Sequence, residues 1–170
     1  MSRVPMSMKP QLKKQDHVEP REERAPDSQY CVFRCGRERY CLSVLEVEEV
    51  VSWPVLSRMP LAPPFLKGIF SLRGVIVPVL DIAYREERRS DAQPSHLVVA
   101  AWRGDAGRDP LRVGLAADEM LGAFATSEPL LVEEAPRDAV HCRGLLRHDN
   151  RLALALDLRR LSEAFPVPVI

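Results

Sequence analysis

The residue types best suited to chemistry in this chain are four cysteines and four histidines. Cys31 and Cys35 fall in a strand pattern, where a four-residue offset separates two Cα atoms by about 13 Å. That distance is too long for a disulfide and does not suit one tetrahedral zinc ion. The sequence contains no C-x2-C pair. We therefore expect no metal site and no cofactor, and small buried residues at Cys31, Cys35, Cys41 and Cys142.

The histidines do not suggest a catalytic site either. They are His17, His96, His141 and His148, and their positions do not follow a metal-binding spacing. His141 and Cys142 are neighbours in a strand pattern, so their side chains point to opposite faces and cannot act together as base and nucleophile. There is no G-x-S-x-G motif and no Gly-rich phosphate loop. We therefore predict that the protein is not an enzyme.

A charged residue at a turn is the stronger candidate for function. Residues 67–82, KGIFSLRGVIVPVLDI, have the pattern of two apolar strands joined by a tight turn at Arg73-Gly74. Gly74 supplies the positive φ that such a turn needs, and Asp81 offers a carboxylate as the N-cap of a following helix. The sequence thus predicts a rigid apolar hairpin with one cation, Arg73, at its tip.

Alternation and turn residues predict the elements that precede this hairpin. An N-terminal hairpin turns at Gly36-Arg37 and places residue 33 opposite residue 40. Residues 43–46, S-V-L-E, form a capping box and predict a helix of about two turns. Residues 50–64 are typical of a short strand followed by an extended, proline-rich connector.

The pattern after the hairpin predicts a short helix and then further strands. The predicted helices are residues 82–89, a turn at 118–121, and a terminal helix at 158–165 that Asp157 caps. The predicted strands are residues 96–102, 111–116, 122–132, 141–147 and 151–156, with a loop at 103–110 and a turn at Asp149-Asn150.

A repeat relates the two halves of the chain. Gly68 to Asp81 matches Gly144 to Asp157, an offset of 76 residues at both ends (144 − 68 and 157 − 81). Residues 40–47 match residues 113–120 more loosely, with an offset of 73 (113 − 40). Two matches in the same order argue against chance. Many short strands with sparse helix favour small closed barrels, so we predict a mainly β fold with two similar halves.

Composition argues against several classes of partner. Lys+Arg and Asp+Glu both number 24, and this zero net charge argues against nucleic acid or an anionic membrane. Aromatic residues are only 6% of the chain, so a barrel that binds nucleic acid is a distant alternative. No segment approaches the roughly 20 apolar residues of a membrane span, and no secretory signal is seen, so we expect a cytoplasmic protein. Residues 1–28 are expected to be a disordered tail.

The sequence of the hairpin resembles the signature of CheW-like domains. Residues 68–81 read GIFSLRGVIVPVLD, against the family pattern G-V-x-N-L-R-G-x-I-x-P-V-x-D-L. Residues 47–50, VEEV, are similar to the family's V-x-E-V helix, and residues 112–118 are similar to its R-V-G-L-x-V-D. The resemblance covers about residues 29–165, which is everything except the tail and the last few residues.

The resemblance implies a fold and a function. The fold is two pseudo-symmetric five-stranded SH3-like β-barrel subdomains with short helices over residues 29–166. The halves are about 29–92 and 93–166, and exchange of strands between them is left open. The implied function is that of a non-catalytic adaptor in bacterial chemosensory arrays. It couples the cytoplasmic tip of a chemoreceptor, a methyl-accepting chemotaxis protein, to the regulatory domain of a CheA-type histidine kinase.

Departures from the family pattern leave a second function open. Ser71 stands where asparagine is usual, and Ala117 stands where valine is common. The alternative is a specialised CheW-like scaffold of a motility or developmental pathway with altered receptor or kinase binding.

The resemblance also assigns candidate site residues. Arg73 matches the family's arginine at a receptor-facing groove, and Val47 and Glu49 match positions that line the same groove. A groove with an apolar floor and one fixed cation can hold an amphipathic helix and pair with one of its acids. Glu49 is expected to orient Arg73 or to meet a basic residue of the receptor, and Val47 to be core or interface. Glycines for close packing near the interface are expected at Gly68, Gly74 and Gly114.

Overall fold

In a computed structural model of this chain, residues 28–85, 93–104 and 110–167 are described. The predicted tail except for residue 28, residues 86–89 of the predicted helix and most of the 103–110 loop lie outside these ranges. The described residues contain two 3₁₀ helices, Val44–Glu46 and Ile82–Arg85, and one α-helix, α1, Leu158–Ala164. Their ten strands are β1 Ser28–Cys35, β2 Glu38–Ser43, β3 Val47–Ser52, β4 Leu66–Leu72, β5 Val75–Leu80, β6 His96–Trp102, β7 Leu111–Ala117, β8 Glu119–Thr126, β9 Cys142–His148 and β10 Arg151–Leu156.

The strands form two five-stranded sheets, and each sheet takes strands from both sequence halves. Sheet A has the order β8-β1-β2-β10-β9, and sheet B has the order β3-β6-β7-β5-β4. Adding five to each strand number of sheet B, and counting on from β10 to β1, gives the strand order of sheet A. The two sheets therefore have the same topology. This architecture confirms the predicted mainly β class with two similar five-stranded units. The division near residue 93 falls between β5 and β6 and stays a prediction as a domain boundary.

The two β-hairpins related by the 76-residue offset have the same turn. Arg73 and Gly74 have φ values of 49° and 84°, and Asp149 and Asn150 have φ values of 48° and 57°. A two-residue turn with both φ values positive matches the right-handed twist of the strands that it joins. The predicted hairpin about Arg73-Gly74 is present as β4 and β5, and its copy is β9 and β10.

In each sheet, the segment that follows one edge strand pairs with the opposite edge strand, so that the sheet begins to close on itself. After β3, Ser57 forms a bridge to Ile69 of β4, which is the opposite edge of sheet B. After β8, Leu131 forms the equivalent bridge to Leu145 of β9 in sheet A. Both amide groups of each bridge are hydrogen-bonded at 2.9–3.1 Å. These bridges reduce the exposed edges that a free sheet would leave.

Three apolar clusters hold the molecule together. One lies within sheet A and includes Val32 and Leu146, and one lies within sheet B and includes Val79 and Leu97. The largest cluster joins both sheets to α1; among its buried members are Phe33, Tyr40, Leu42, Leu80, Ile82, Val98, Leu115, Leu156, Leu161 and Phe165. Burial of these side chains between the sheets is the main force that fixes one sheet against the other.

Predictions of local structure succeeded at the first hairpin and at the Asp157 cap and failed at two helices. Residue 33 pairs with residue 40 as predicted, and the Asp157 carboxylate caps α1 by accepting from the Arg160 amide at 3.0 Å. The predicted two-turn helix after residue 43 is only a three-residue 3₁₀ turn, because Val47–Ser52 pairs with β6 as a strand. The predicted helical turn at 118–121 is the start of β8, which pairs with β1. In both cases pairing with a neighbouring strand decides the conformation.

Candidate functional site

A groove of about 380 Å³ lies between β3, the β4–β5 turn and the β6–β7 end of sheet B. Its lining includes the three side chains that the family resemblance assigns to a binding groove, Val47, Glu49 and Arg73. The other lining residues are Leu45, Glu46, Glu48, Leu72, Val75, Ala101, Arg103 and Arg112. The groove therefore combines acids, arginines and apolar side chains from five strands, the 44–46 turn, the β4–β5 turn and the residue that follows β6.

An ion pair joins the hairpin tip to the facing edge strand. Arg73 Nη2 lies 3.0 Å from Glu49 Oε2. The Arg73 side chain is 81% exposed and that of Glu49 is 31% exposed, so the cation is the accessible member of the pair. One guanidinium nitrogen meets Glu49, and the exposed remainder of the fork can donate to a carboxylate of a partner.

A second ion pair lines the same groove and was not predicted. Glu48 Oε2 accepts from Arg112 Nε at 2.7 Å, and both side chains are partly exposed. Adjacent strand residues normally point to opposite faces, but the pairing of β3 with β6 shifts register between Val47 and Glu49. Both glutamates therefore line the groove. A bulge of this kind has no clear signal in the sequence, so Glu48 was not a candidate.

Val47 and two of the predicted glycines have structural contacts. Val47 lines the groove and also packs, half-buried, against the largest core cluster. A Cβ at Gly68 would lie 2.6 Å from the Ser57 carbonyl oxygen, and one at Gly114 would lie 2.8 Å from the Leu97 side chain. Both positions therefore allow close approach of neighbouring chain segments.

Gly74 differs from the other two glycines. A Cβ there would meet nothing within 4 Å, so space does not require glycine. Its φ of 84° is the reason for glycine, because other residues adopt that conformation at a cost.

The Arg73–Glu49 pair belongs to sheet B alone. The 76-residue offset places Asp149 at the counterpart of Arg73 (149 − 73). The 73-residue offset places Gly122 at the counterpart of Glu49 (122 − 49), and Gly122 follows the same register shift in β8 that precedes Glu49 in β3. The two copies of the repeat share the turn conformation at the first position and the register shift at the second, but sheet A lacks the charges of Arg73 and Glu49. The pair is therefore not needed to build this fold.

Glu46 is the acid in the groove with a perturbed pKa. Burial raises the pKa of its carboxyl, Arg143 opposes the shift, and Asp157 adds to it. Its Oε2 atom is buried without a hydrogen-bond partner. Since the raised pKa means that the folded state holds the proton more tightly, the stability that Glu46 contributes is complete below the unfolded pKa of its carboxyl and is lost as pH rises through the higher folded pKa.

This shift gives a testable pH dependence. In Glu46→Gln the titrating group is gone, so we expect wild type to gain stability relative to the variant as pH falls from 7 toward 4. Urea unfolding of both proteins at four pH values measures the difference. A difference that is independent of pH, or that changes in the opposite direction, contradicts the assignment.

The groups first considered for chemistry are not assembled into a site in the described parts of the chain. All four cysteines are buried and none is part of a disulfide, and burial raises the pKa of the Cys41 thiol to about 12. Within residues 28–85, 93–104 and 110–167 no group of three or more His, Cys, Asp or Glu residues could hold a metal ion. No helix in the same ranges is long and apolar enough to cross a membrane.

Known proteins share this sequence pattern and fold. A family model described as the CheW-like domain matches residues 29–165. The "Probable chemotaxis protein CheW" of Rhizobium etli is 25% identical over 141 residues, which cover 79% of this chain and 87% of the relative. The "Chemotaxis protein CheW" of Bacillus subtilis is 27% identical over 135 residues, which cover 74% of this chain and 81% of the relative.

A solved structure has the same fold. It is the scaffolding protein TtCheW from Thermoanaerobacter tengcongensis, and the match has a TM-score of 0.66 at 23% identity. The match covers 78% of this chain and 90% of that chain. At this level of identity the likeness concerns the fold.

Proposed function

This chain belongs to the CheW-like domain family, and on that premise we propose that it is a non-catalytic adaptor that couples chemoreceptor tips to a CheA-type histidine kinase. A role as a scaffold in chemotaxis follows from the family. The coupling of these two partners, and its place in the cytoplasm at receptor arrays, are the proposed steps.

The observation that carries the proposal is the groove of sheet B with Arg73 at its edge. The tip of a chemoreceptor is a helical hairpin, and an amphipathic helix fits a groove that offers apolar side chains beside an accessible cation. Arg73 is held by Glu49 at 3.0 Å, so its guanidinium is positioned before a partner arrives. A positioned group loses less conformational entropy on binding than a free one. We propose that an acidic residue of the receptor meets Arg73.

The kinase has to bind outside this groove if one adaptor is to hold both partners at once. The family resemblance supplies the partner domain, which is the kinase's own CheW-like regulatory domain. We propose that binding of the kinase leaves the groove open to the receptor. This arrangement makes the two interactions separable by mutation.

Titration of the purified chain tests the proposal. One titrant is the regulatory domain of a CheA-type kinase, and the other is the cytoplasmic tip fragment of a chemoreceptor, both from the same genome. We expect saturable binding of each and a ternary complex in sedimentation velocity. Labelled duplex DNA at low salt is the negative control, and saturable, salt-sensitive binding to it would favour the nucleic-acid alternative. Failure to bind either protein contradicts the proposal.

A further inference from the structure

Leu45 is an apolar side chain at the edge of the groove and is 95% exposed. A single exposed leucine needs no explanation on its own, and Val55 and Leu61 are equally exposed outside the groove. Leu45 differs from them because it lines the same groove as Arg73 and Glu49.

The repeat shows what a residue at this position does when it serves the fold. The 73-residue offset places Asp118 at the counterpart of Leu45 (118 − 45). The Asp118 carboxylate accepts from the Gly36 amide at 2.8 Å and pairs with Arg34 at 3.2 Å, and its side chain is only 8% exposed. Asp118 thereby ties the β1–β2 turn to the β7–β8 junction. Leu45, at 95% exposure, buries almost none of its surface in the fold and so does not serve it in this way.

The backbone holds Leu45 in a fixed position. Its amide donates to the Ser43 hydroxyl at 3.3 Å, and the Val47 amide closes the 3₁₀ turn onto the Val44 carbonyl. The turn is anchored at both ends by strands β2 and β3. An apolar side chain on such a turn can be buried by a partner with little loss of backbone entropy.

Apolar contact is needed beside the charges of the groove. Two of its glutamates are already paired, Glu49 with Arg73 and Glu48 with Arg112. A partner acid that reaches the exposed side of Arg73 loses its own hydration, which offsets part of the gain from charge. We propose that Leu45 is the apolar anchor of this groove and packs against an apolar side chain of the receptor helix, close to the acid that meets Arg73. This inference rests on the proposed function of the groove.

Truncation of the side chain tests the inference. In Leu45→Ala we expect the affinity for the receptor tip fragment to fall about tenfold, because most of a leucine side chain is no longer buried. Leu61→Ala is the matched control, since it removes the same atoms from an equally exposed leucine outside the groove. Leu45→Met keeps the apolar volume and is expected to bind within about threefold of wild type. The affinity for the kinase regulatory domain should not change in any of the three variants.

Each alternative outcome identifies what has failed. Wild-type protein that binds no receptor tip overturns the proposed function of the groove and this inference with it. Wild type that binds the tip, with Leu45→Ala equal to Leu61→Ala, overturns the inference and leaves the proposed function standing. Equal losses of tip and kinase binding in Leu45→Ala also overturn the inference, because they indicate a role for Leu45 outside the groove.

Discussion

Replacement of Arg73 with glutamate is expected to lower the affinity for a receptor tip by at least about 30-fold, which corresponds to about 2 kcal/mol. The variant loses the accessible cation at the hairpin tip. It also places a second carboxylate opposite Glu49, where the Arg73 guanidinium of the wild type lies 3.0 Å from the Glu49 carboxylate. Isothermal titration with the receptor tip fragment measures the loss. Because the original pair is largely exposed, the free energy of unfolding should change by less than about 1 kcal/mol.

Two control variants separate recognition from folding. Arg151→Glu makes the same change on an exposed arginine next to the equivalent turn of sheet A, and it should not affect tip binding. The double variant Glu49→Arg, Arg73→Glu restores an ion pair with the charges exchanged. Its stability should return to that of wild type, and its tip binding should remain weak, because the accessible group at the hairpin tip is now an acid.

Two outcomes contradict the assignment of Arg73 to recognition. One is full recovery of tip binding in the charge-exchanged double variant, which would show that the pair serves only the fold. The other is equal loss of tip and kinase binding in Arg73→Glu. The backbone is not a confounding factor, because arginine and glutamate meet the same constraint at the φ of 49° found there.

The parts of the fold that the sequence could predict are those that local chemistry decides. The turn at Arg73-Gly74 follows from a glycine between two β-branched strands, and the Asp157 cap follows from a carboxylate before a helical pattern. The repeat offset of 76 residues predicts that a second hairpin has the same form, and it does. None of these inferences needs a contact between distant segments.

The parts that the sequence could not predict depend on distant strands. Strands are exchanged between the two sequence halves through pairing, as where β5 of the first half pairs in parallel with β7 of the second. The alternation of apolar and polar residues along a strand does not identify its partner, so this exchange leaves no signal in the sequence. Residues 47–49 were predicted to continue a helix, and pairing with β6 makes them part of a strand. The register shift that turns Glu48 toward the groove arises within that pairing, so neither Glu48 nor its contact with Arg112 could be foreseen.

The candidate site combines both kinds of information. Resemblance to a family selected Arg73 and Glu49, and the structure adds the 3.0 Å contact between them. Comparison of the two sheets adds that Asp149 and Gly122 occupy the equivalent positions. A feature present in one copy of a repeat and absent from the other cannot be a requirement of the shared fold, which is why the pair is a candidate for recognition.

Replacement of Gly68 with alanine is expected to have the largest effect on stability, a loss of about 3 kcal/mol or more. Its φ of 150° lies in a region that other residues rarely adopt. The added Cβ would also lie 2.6 Å from the Ser57 carbonyl oxygen. That oxygen cannot move freely, because Ser57 and Ile69 exchange two hydrogen bonds of 2.9 Å that join the edges of sheet B. Strain and loss of this bridge therefore act together.

Gly144 provides a comparison, since it lies 76 residues further on at the equivalent point of sheet A (144 − 68) and lacks the positive φ of Gly68. A Cβ at Gly144 would have its nearest contacts at 3.3 Å, which neighbouring atoms can relieve by small shifts. Gly144→Ala should therefore lose less than about 1.5 kcal/mol in urea unfolding. Equal losses at the two positions would contradict the combined role given to the positive φ of Gly68 and the Ser57 bridge. Gly68 lies in β4, and Arg73 follows the end of that strand. Loss of the Ser57 bridge should therefore also weaken receptor-tip binding by the Gly68→Ala molecules that remain folded.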